Sequence, residues 1–253
     1  MGSKLQDQLE QCKTLPTLPA VATELVRLSN DDSASTEQFA ETLSKDPALA
    51  AKILSVANSA MYANRAGAPT TVPQAVLRLG SNQVMAVALS LSLVRIPRRG
   101  DSFPFEAFWR RALLSGTAAR CTATLIQCAP EEAFLAGMFQ DIGMLALHEV
   151  LGAAYSELIG EADCDHLRLE RLERERYATD HREVGTWLAR SWKLPEYLIH
   201  TTRGSHNPAA ITGSPAFGQH TRAAALGGFI ADIWRPNTDQ TAATRQAAEC
   251  AKL

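Results

Sequence analysis

Apolar residues recur along this chain at three- and four-residue intervals nearly everywhere, the period of a helix face rather than a strand. Residues 5–12 read as a short, weak first helix. Leu15-Pro16-Thr17-Leu18-Pro19 closes it, because two prolines this close cannot share a helix interior. A helix restarts at Ala20 and runs to Leu28, with Val21, Leu25 and Leu28 on one face. After the polar loop Asn30-Asp31-Asp32-Ser33, Ser35 or Thr36 caps a helix to about Ser44 that turns Phe39 and Leu43 inward. Asp46-Pro47 marks another start, with a capping carboxylate and then proline at the first helical position. That helix carries Leu49, Ile53, Leu54, Val56 and Ala57 and ends near Asn58-Ser59. Residues 63–71 read as a loop, and Val72 to Leu79 as a short helix stopped by Gly80. Asn82 to Val94 is apolar on almost every face and predicts a buried helix. Its Ser90-Leu91-Ser92-Leu93 alternation imitates a strand, but no turn signals or β-branched residues support one.

Arg95 to Pro104 interrupts the pattern with two prolines, Gly100 and three arginines, and divides the chain into two helical halves. Helices are then expected at about 105–128, 130–149, 152–162, 166–176, 180–193, 195–203, 216–235 and 239–251. Pro130 with Glu131 and Glu132 makes a good helix start. Asp180 and Glu183 have the spacing of a capping box. Val184, Trp187, Leu188 and Trp192 form an amphipathic stripe behind them. With no convincing strand and no internal repeat, the fold class is all-α, a compact multi-helix bundle.

Composition narrows the function without choosing it. The 253 residues suffice for one large domain or two small ones. A net charge of −2 and a pI near 6.3 give no basic field for nucleic acid or an acidic membrane. The five cysteines, Cys12, Cys121, Cys128, Cys164 and Cys250, include no CxxC pair, which argues for a reducing compartment. No run of 18 apolar residues and no apolar signal core occur, so a cytoplasmic location is expected.

No phosphate loop, GxSxG or HExxH is present; Gly227-Gly228 lacks the strand and lysine a phosphate loop needs. No two of the six histidines (148, 166, 181, 200, 206, 220) lie four apart on one helix. On a continuous helix 130–149, Asp141 falls on the flank of the buried stripe, seven residues from His148 and too far to share an ion with it. Such a half-buried aspartate needs a basic partner or a hydrogen bond. His181 reads as a solvated or capping histidine. The run holding Arg168, Arg171, Arg174, Arg176 and Arg182 among Glu170, Glu173 and Glu175 reads as a solvated face. Arg95, Arg98, Arg99, Arg110 and Arg111 form a more one-sided cluster, conceivable as an anion site but without the aromatic residues single-stranded nucleic acid prefers. Cys121 and Cys128 suit core or groove positions better than a pair.

Several ordered stretches together resemble an HDOD domain over about residues 13–205. They are Leu15-Pro16-x-Leu18-Pro19; Leu43-Ser44-x-Asp46-Pro47-Ala48-Leu49-Ala50-x-Lys52-Ile53-Leu54-x-Val56-Ala57-Asn58-Ser59; and Val72-x-x-Ala75-Val76 with Leu79-Gly80. Phe108-Trp109, Leu135-Ala136-Gly137-Met138-Phe139-Gln140-Asp141-Ile142-Gly143, His181-x-x-Val184-Gly185 and Trp192-x-Leu194-Pro195 follow. The expected organisation is an HDOD domain at 13–205, with an N-terminal helical half at 13–95 and an HD-like half at 103–205. Residues 206–253 would complete or extend the latter. The chain starts almost directly on the domain and ends in Ala251-Lys252-Leu253, which leaves a longer parent protein open.

The resemblance implies an all-helical relative of the HD phosphohydrolases, found in bacterial signalling proteins and acting as an output or scaffold module. Catalytic HD relatives hold a divalent metal with a histidine, a His-Asp doublet and a later aspartate. Those places are similar to Arg111, Gln140-Asp141 and, by a looser match, Asp232. Arginine has no lone pair for a metal, and glutamine offers only a weak neutral oxygen. The expectation is a degenerate site with no metal and no cofactor, in which Arg111 pairs with Asp141 and Asp232. Expected partners are other signalling proteins or fused signalling domains, including cyclic-di-GMP turnover domains, and neither nucleic acid nor membrane. The alternatives are a metal-dependent phosphohydrolase on nucleotides or cyclic dinucleotides, using His181, His200 or His206 with Asp141, and a module sensing a small ligand or nucleotide.

Overall fold

Five helices among the described residues of this protein begin where a polar side chain accepts from amides that have no partner within the helix. In the computed structural model, which describes residues 3–12, 15–62, 67–94, 102–163, 165–206 and 218–233, every regular element is helical and no strand occurs among them. The chain divides into two compact units, Thr17–Ile96 and the remainder, Met1–Pro16 with Pro97–Leu253.

The first unit contains α2 (Ala20–Ser29), α3 (Thr36–Ser44), α4 (Pro47–Ala57), α5 (Val72–Leu79) and α6 (Ser81–Val94). Ser35 and Gln38 form a reciprocal capping box at α3, and the Asp46 carboxylate accepts from the Leu49 amide ahead of Pro47. Leu25, Phe39, Leu43, Ile53, Val76 and Val84 meet in one apolar core. The strand-like serines of α6 lie in a helix because their hydroxyls have an outlet there. Ser90 donates to the Ala86 carbonyl at 2.8 Å and Ser92 to that of Ala88 at 2.7 Å.

The second unit contains α1 (Ser3–Gln11), α7 (Phe105–Ala123), α8 (Pro130–Phe139), α9 (Gly143–Leu151), α10 (Ala153–Glu161), α11 (His166–Tyr177), α12 (His181–Ser191), α13 (Glu196–Gly204) and α14 (Gly218–Ile233). Helices α7, α8 and α14 pack together, and α9 lies against α12. Gly227 makes the α7–α14 approach possible: a Cβ there would come within 2.3 Å of the Ser115 carbonyl oxygen. The role of Gly227 is thus close helix packing. The predicted helix at 239–251, Cys164, Cys250, Arg95, Arg98 and Arg99 lie outside the described residues.

Two expected helices differ. The helix predicted to reach residue 128 ends at Ala123, where Gln127 takes a left-handed φ of 54° and the Cys128 amide reaches back to the Ala123 carbonyl. The helix predicted over 130–149 breaks at Gln140-Asp141-Ile142. The Ile142, Met144 and Leu145 amides bond three residues back, to Phe139, Asp141 and Ile142, in place of the four-residue ladder. The break turns Asp141 from the flank into the interior, where it is 3% exposed. The stretch Pro130–Leu151 is apolar enough by length and composition to cross a membrane, but it is 78% buried as two core helices.

Across the α8–α14 contact, His220 lies 2.6 Å from the Glu132 carboxylate. Burial lowers the His220 pKa, but hydrogen bonds to Cys128 and Glu132 outweigh it and raise it to about 9. A raised histidine pKa adds stability that is complete below the unfolded value near 6.5 and is lost as pH climbs through about 9. His220→Gln is expected to lower stability by roughly 2 kcal/mol at pH 6. The gap from wild type should narrow steadily towards pH 9, as read by urea unfolding across that range. A gap independent of pH would refute this assignment.

Candidate functional site

Carboxylates in an apolar core need cations or donors on each oxygen. At Asp141, in the α8–α9 turn, the two oxygens are served differently. The Arg111 guanidinium, from α7, donates through Nη1 to Asp141 Oδ2. Its Nε and Nη2 donate to the Asp232 carboxylate on α14, at 2.8 and 3.0 Å. Arg111 is 5% exposed, so this two-carboxylate clamp operates in the interior. Gln140 is also buried and donates to the Ser115 hydroxyl. The structure therefore brings Arg111, Gln140, Asp141 and Asp232 to one place. Burial pushes the Asp141 carboxyl up, but Arg111 and then His166 outweigh it and hold it well below the usual carboxylate range.

The second oxygen, Asp141 Oδ1, faces three imidazoles. His206 Nε2 is 3.1 Å away, His166 Nδ1 3.5 Å and His181 Nε2 3.8 Å. His166 and His181 are each the first residue of a helix, behind the capping aspartates Asp165 and Asp180. His206 follows the end of α13, with Nδ1 2.9 Å from the Ser205 hydroxyl. His181 Nδ1 and its backbone amide both meet Glu173 Oε2, at 2.7 and 2.9 Å. Tyr155 donates its hydroxyl to the other Glu173 oxygen. Burial lowers the His181 pKa, but Glu173 outweighs it and raises it to about 9. For His206, burial prevails and the pKa falls.

Several expectations change here. His181 is fully buried, neither solvated nor simply capping. α12 approaches the α8–α9 turn closely, and at Gly143 a Cβ would stand 1.9 Å from the His181 carbonyl oxygen. Asp180 caps α12 by accepting from the Arg182 and Glu183 amides, while Glu183 takes the Thr179 hydroxyl, so the reciprocal half of the predicted box is replaced. The charged run is not a purely solvated face: Glu173 is 0% exposed, and Arg182 is buried against Glu170 and Asp180. His200 stands apart, partly exposed and 3.8 Å from Glu196. Arg110 is exposed while Arg111 is interior, so those two do not share an anion site. Cys121 is exposed and Cys128 buried, both as free thiols. Sequence reasoning missed His166 as a member of the site. The signal was the repeated Asp-His pair at 165–166 and 180–181, each opening a helix.

Removing one partner of a buried ion pair leaves the other charge uncompensated. Arg111→Ala is expected to cost about 3–5 kcal/mol. Arg111→Lys should recover only part of this, because an ammonium cannot span two carboxylates as a planar fork does. Chemical denaturation checks both, and a variant melting like wild type would refute the clamp's role. Gly143→Ala should be at least as damaging as ordinary overpacking, about 1–3 kcal/mol, since backbone must move to admit the methyl.

The chain is similar in structure to a Shewanella amazonensis SB2B protein provisionally named a phosphohydrolase, with a TM-score of 0.73, 24% identity and coverage of 99% of this chain and 94% of that one. It is similar to an HDOD domain protein of unknown function from Geobacter sulfurreducens, with a TM-score of 0.71, 20% identity and coverage of 96% and 87%. A Marinobacter aquaeolei VT8 protein, provisionally named a signal transduction protein, gives a TM-score of 0.69 at 23% identity over 100% of this chain and 59% of that one. These likenesses are of fold. Among curated proteins, an uncharacterized protein of Treponema pallidum (strain Nichols) is 24% identical over 220 residues, 82% of this chain, which spans 40% of that relative's length. The family model of the HDOD domain matches residues 15–208, and the chain belongs to the HDOD family.

Proposed function

We propose that this HDOD chain is a signal-transduction module that acts through contacts with other proteins and carries no phosphohydrolase chemistry. The observation behind this reading is the clamp of Arg111 on Asp141 and Asp232. An HD-type metal centre needs lone pairs where this chain has a guanidinium and a glutamine amide. The fixed cation satisfies the same two carboxylates that a divalent ion would need. The residues at those four places do not fit the metal of catalytic HD relatives.

The fold neighbours are provisionally named both as a phosphohydrolase and as a signal transduction protein, and the clamp favours the second description for this chain. The Treponema relative is longer, consistent with a module working beside further sequence. The proposed partners are other signalling proteins or fused signalling domains, including those that turn over cyclic dinucleotides. A nucleotide-sensing role fits less well. The cavity beside Arg111 and His166 measures about 30 Å³, room for about one water, far below the roughly 300 Å³ of a small-molecule pocket.

The test is hydrolysis of nucleotides, cyclic dinucleotides and a chromogenic phosphodiester, with Mg²⁺, Mn²⁺ or Fe²⁺ supplied in turn. Wild type and Asp141→Asn are expected to match the protein-free blank with each metal. Metal-dependent turnover by wild type that Asp141→Asn abolishes would overturn the proposal. Crosslinking in a bacterial host should then recover a defined partner, and a monomeric chain with none would count against the contact mechanism.

A further inference from the structure

Asp141 Oδ1 is buried, and no hydrogen bond of good geometry reaches it, although three imidazoles converge on it. One donor atom from each of Asp141, His166, His181 and His206 lies within 4.8 Å of all the others. Metal–ligand distances of about 2.0–2.2 Å in a tetrahedral zinc site imply ligand–ligand edges of about 3.3–3.6 Å. Here Oδ1 is 3.1, 3.5 and 3.8 Å from the three imidazole nitrogens, and His181 Nε2 is 3.4 Å from His206 Nε2. Four of the six separations are thus within a few tenths of an ångström of a tetrahedral edge, and all six are 4.8 Å or less.

The geometry points to a closed, non-catalytic site for one divalent transition-metal ion of the zinc class, held by Asp141 Oδ1, His166 Nδ1, His181 Nε2 and His206 Nε2. The site is displaced from the HD metal position, which Arg111 fills. It goes beyond the proposed function and does not depend on it.

Three further features fit. Two imidazoles are oriented from behind, His181 by Glu173 and His206 by Ser205, as metal-binding histidines are. The charges also suit a dication. Asp141, Asp232 and Glu173 place three carboxylates around the cluster against the single guanidinium of Arg111, while Asp180 is served by Arg174 and Arg182. Two negative charges are left for the ion to balance. Finally, His166 also lines a small cavity, together with Arg111 and Phe108. Four protein ligands leave no open position for substrate or water, which is the arrangement of structural rather than catalytic zinc.

The probe is Zn²⁺ alone, added to chain stripped with a chelator and then passed through gel filtration before elemental analysis. Wild type is expected to retain about one ion per chain and to gain roughly 5–10 °C in Tm at a hundredfold excess over Kd. Co²⁺ in its place should give the intense visible bands of a tetrahedral site. His206→Ala should retain less than about a tenth of an ion and lose the Tm gain, and His200→Ala should match wild type. Ser205→Ala keeps all four ligands and should bind about 10–100-fold more weakly. If His206→Ala fails to fold by circular dichroism, His166→Asn is read in its place. Less than about a tenth of an ion on folded wild type would overturn the site. So would equal retention by wild type and the ligand variant, which would mean adventitious binding only. Hydrolysis plays no part in these readouts, so this proposal and the functional one can fail separately.

Discussion

A single buried carboxylate organises the second unit. Asp141 presents one oxygen to Arg111 and the other to His166, His181 and His206. Because both sides are polar, the chain must deliver a cation from α7, an anion from α14 and imidazoles from α11, α12 and the end of α13 to within a few ångströms of one turn. The unusual packing there follows from this demand. Gly227 brings α14 close to α7, and so allows Asp232 to reach Arg111. Gly143 brings α12 close to the turn, and so places His181. The α8–α9 break turns the carboxylate itself inward. A continuous helix would have left Asp141 on a flank, where water could have solvated it.

Such a centre adds less stability than its short contacts suggest. Stripping several charged groups of water is costly, and the attraction between them only partly repays it. What a buried network of this kind contributes is intolerance of alternatives. The unit's helices cannot slide or rotate without leaving a charge unpaired. Glu173 extends the constraint outward, holding His181 by side chain and backbone while accepting from Tyr155. Position within the centre also sets ionisation. The same burial that lowers His206 is overcome at His181, because only His181 has a carboxylate bonded directly behind it.

Much of the fold is legible in the sequence because its signals are local. Asp46-Pro47, Ser35 with Gln38, and Thr71 ahead of Val72-Pro73 each cap a helix through side chains only a few residues apart. The α8–α9 break is not legible in this way. Residues 130–149 keep a helical apolar period across it, and the α12 backbone that packs closely against the turn lies far along the chain. His181 is misread for the same reason: a histidine behind a capping aspartate looks solvated until Glu173 is known to stand behind it. The charged run hides Glu173 similarly, since spacing alone cannot tell which of several alternating glutamates faces the core. Arg111 and Asp141 were reachable because the resemblance aligned them to places where a histidine and an aspartate would serve a metal.

An arginine at position 111, where the resemblance to catalytic HD relatives implies a histidine, bears on the whole arrangement. An imidazole there would lend a lone pair and require an ion beside it, whereas a guanidinium brings its own charge and asks only for acceptors. One positive charge then stands where a divalent ion would supply two, and Asp141 and Asp232 share it. Arg111 secures one oxygen of Asp141 and does nothing for the other. The first positions of α11 and α12 answer the second oxygen, each placing a histidine behind an aspartate that has already taken the helix's free amides. Because the aspartate is occupied as a cap, it does not compete for the imidazole, whose ring can point inward. With Arg111 holding one oxygen, the unit keeps a polar interior that still has to be neutralised, and His166, His181 and His206 are the groups gathered around the remaining oxygen.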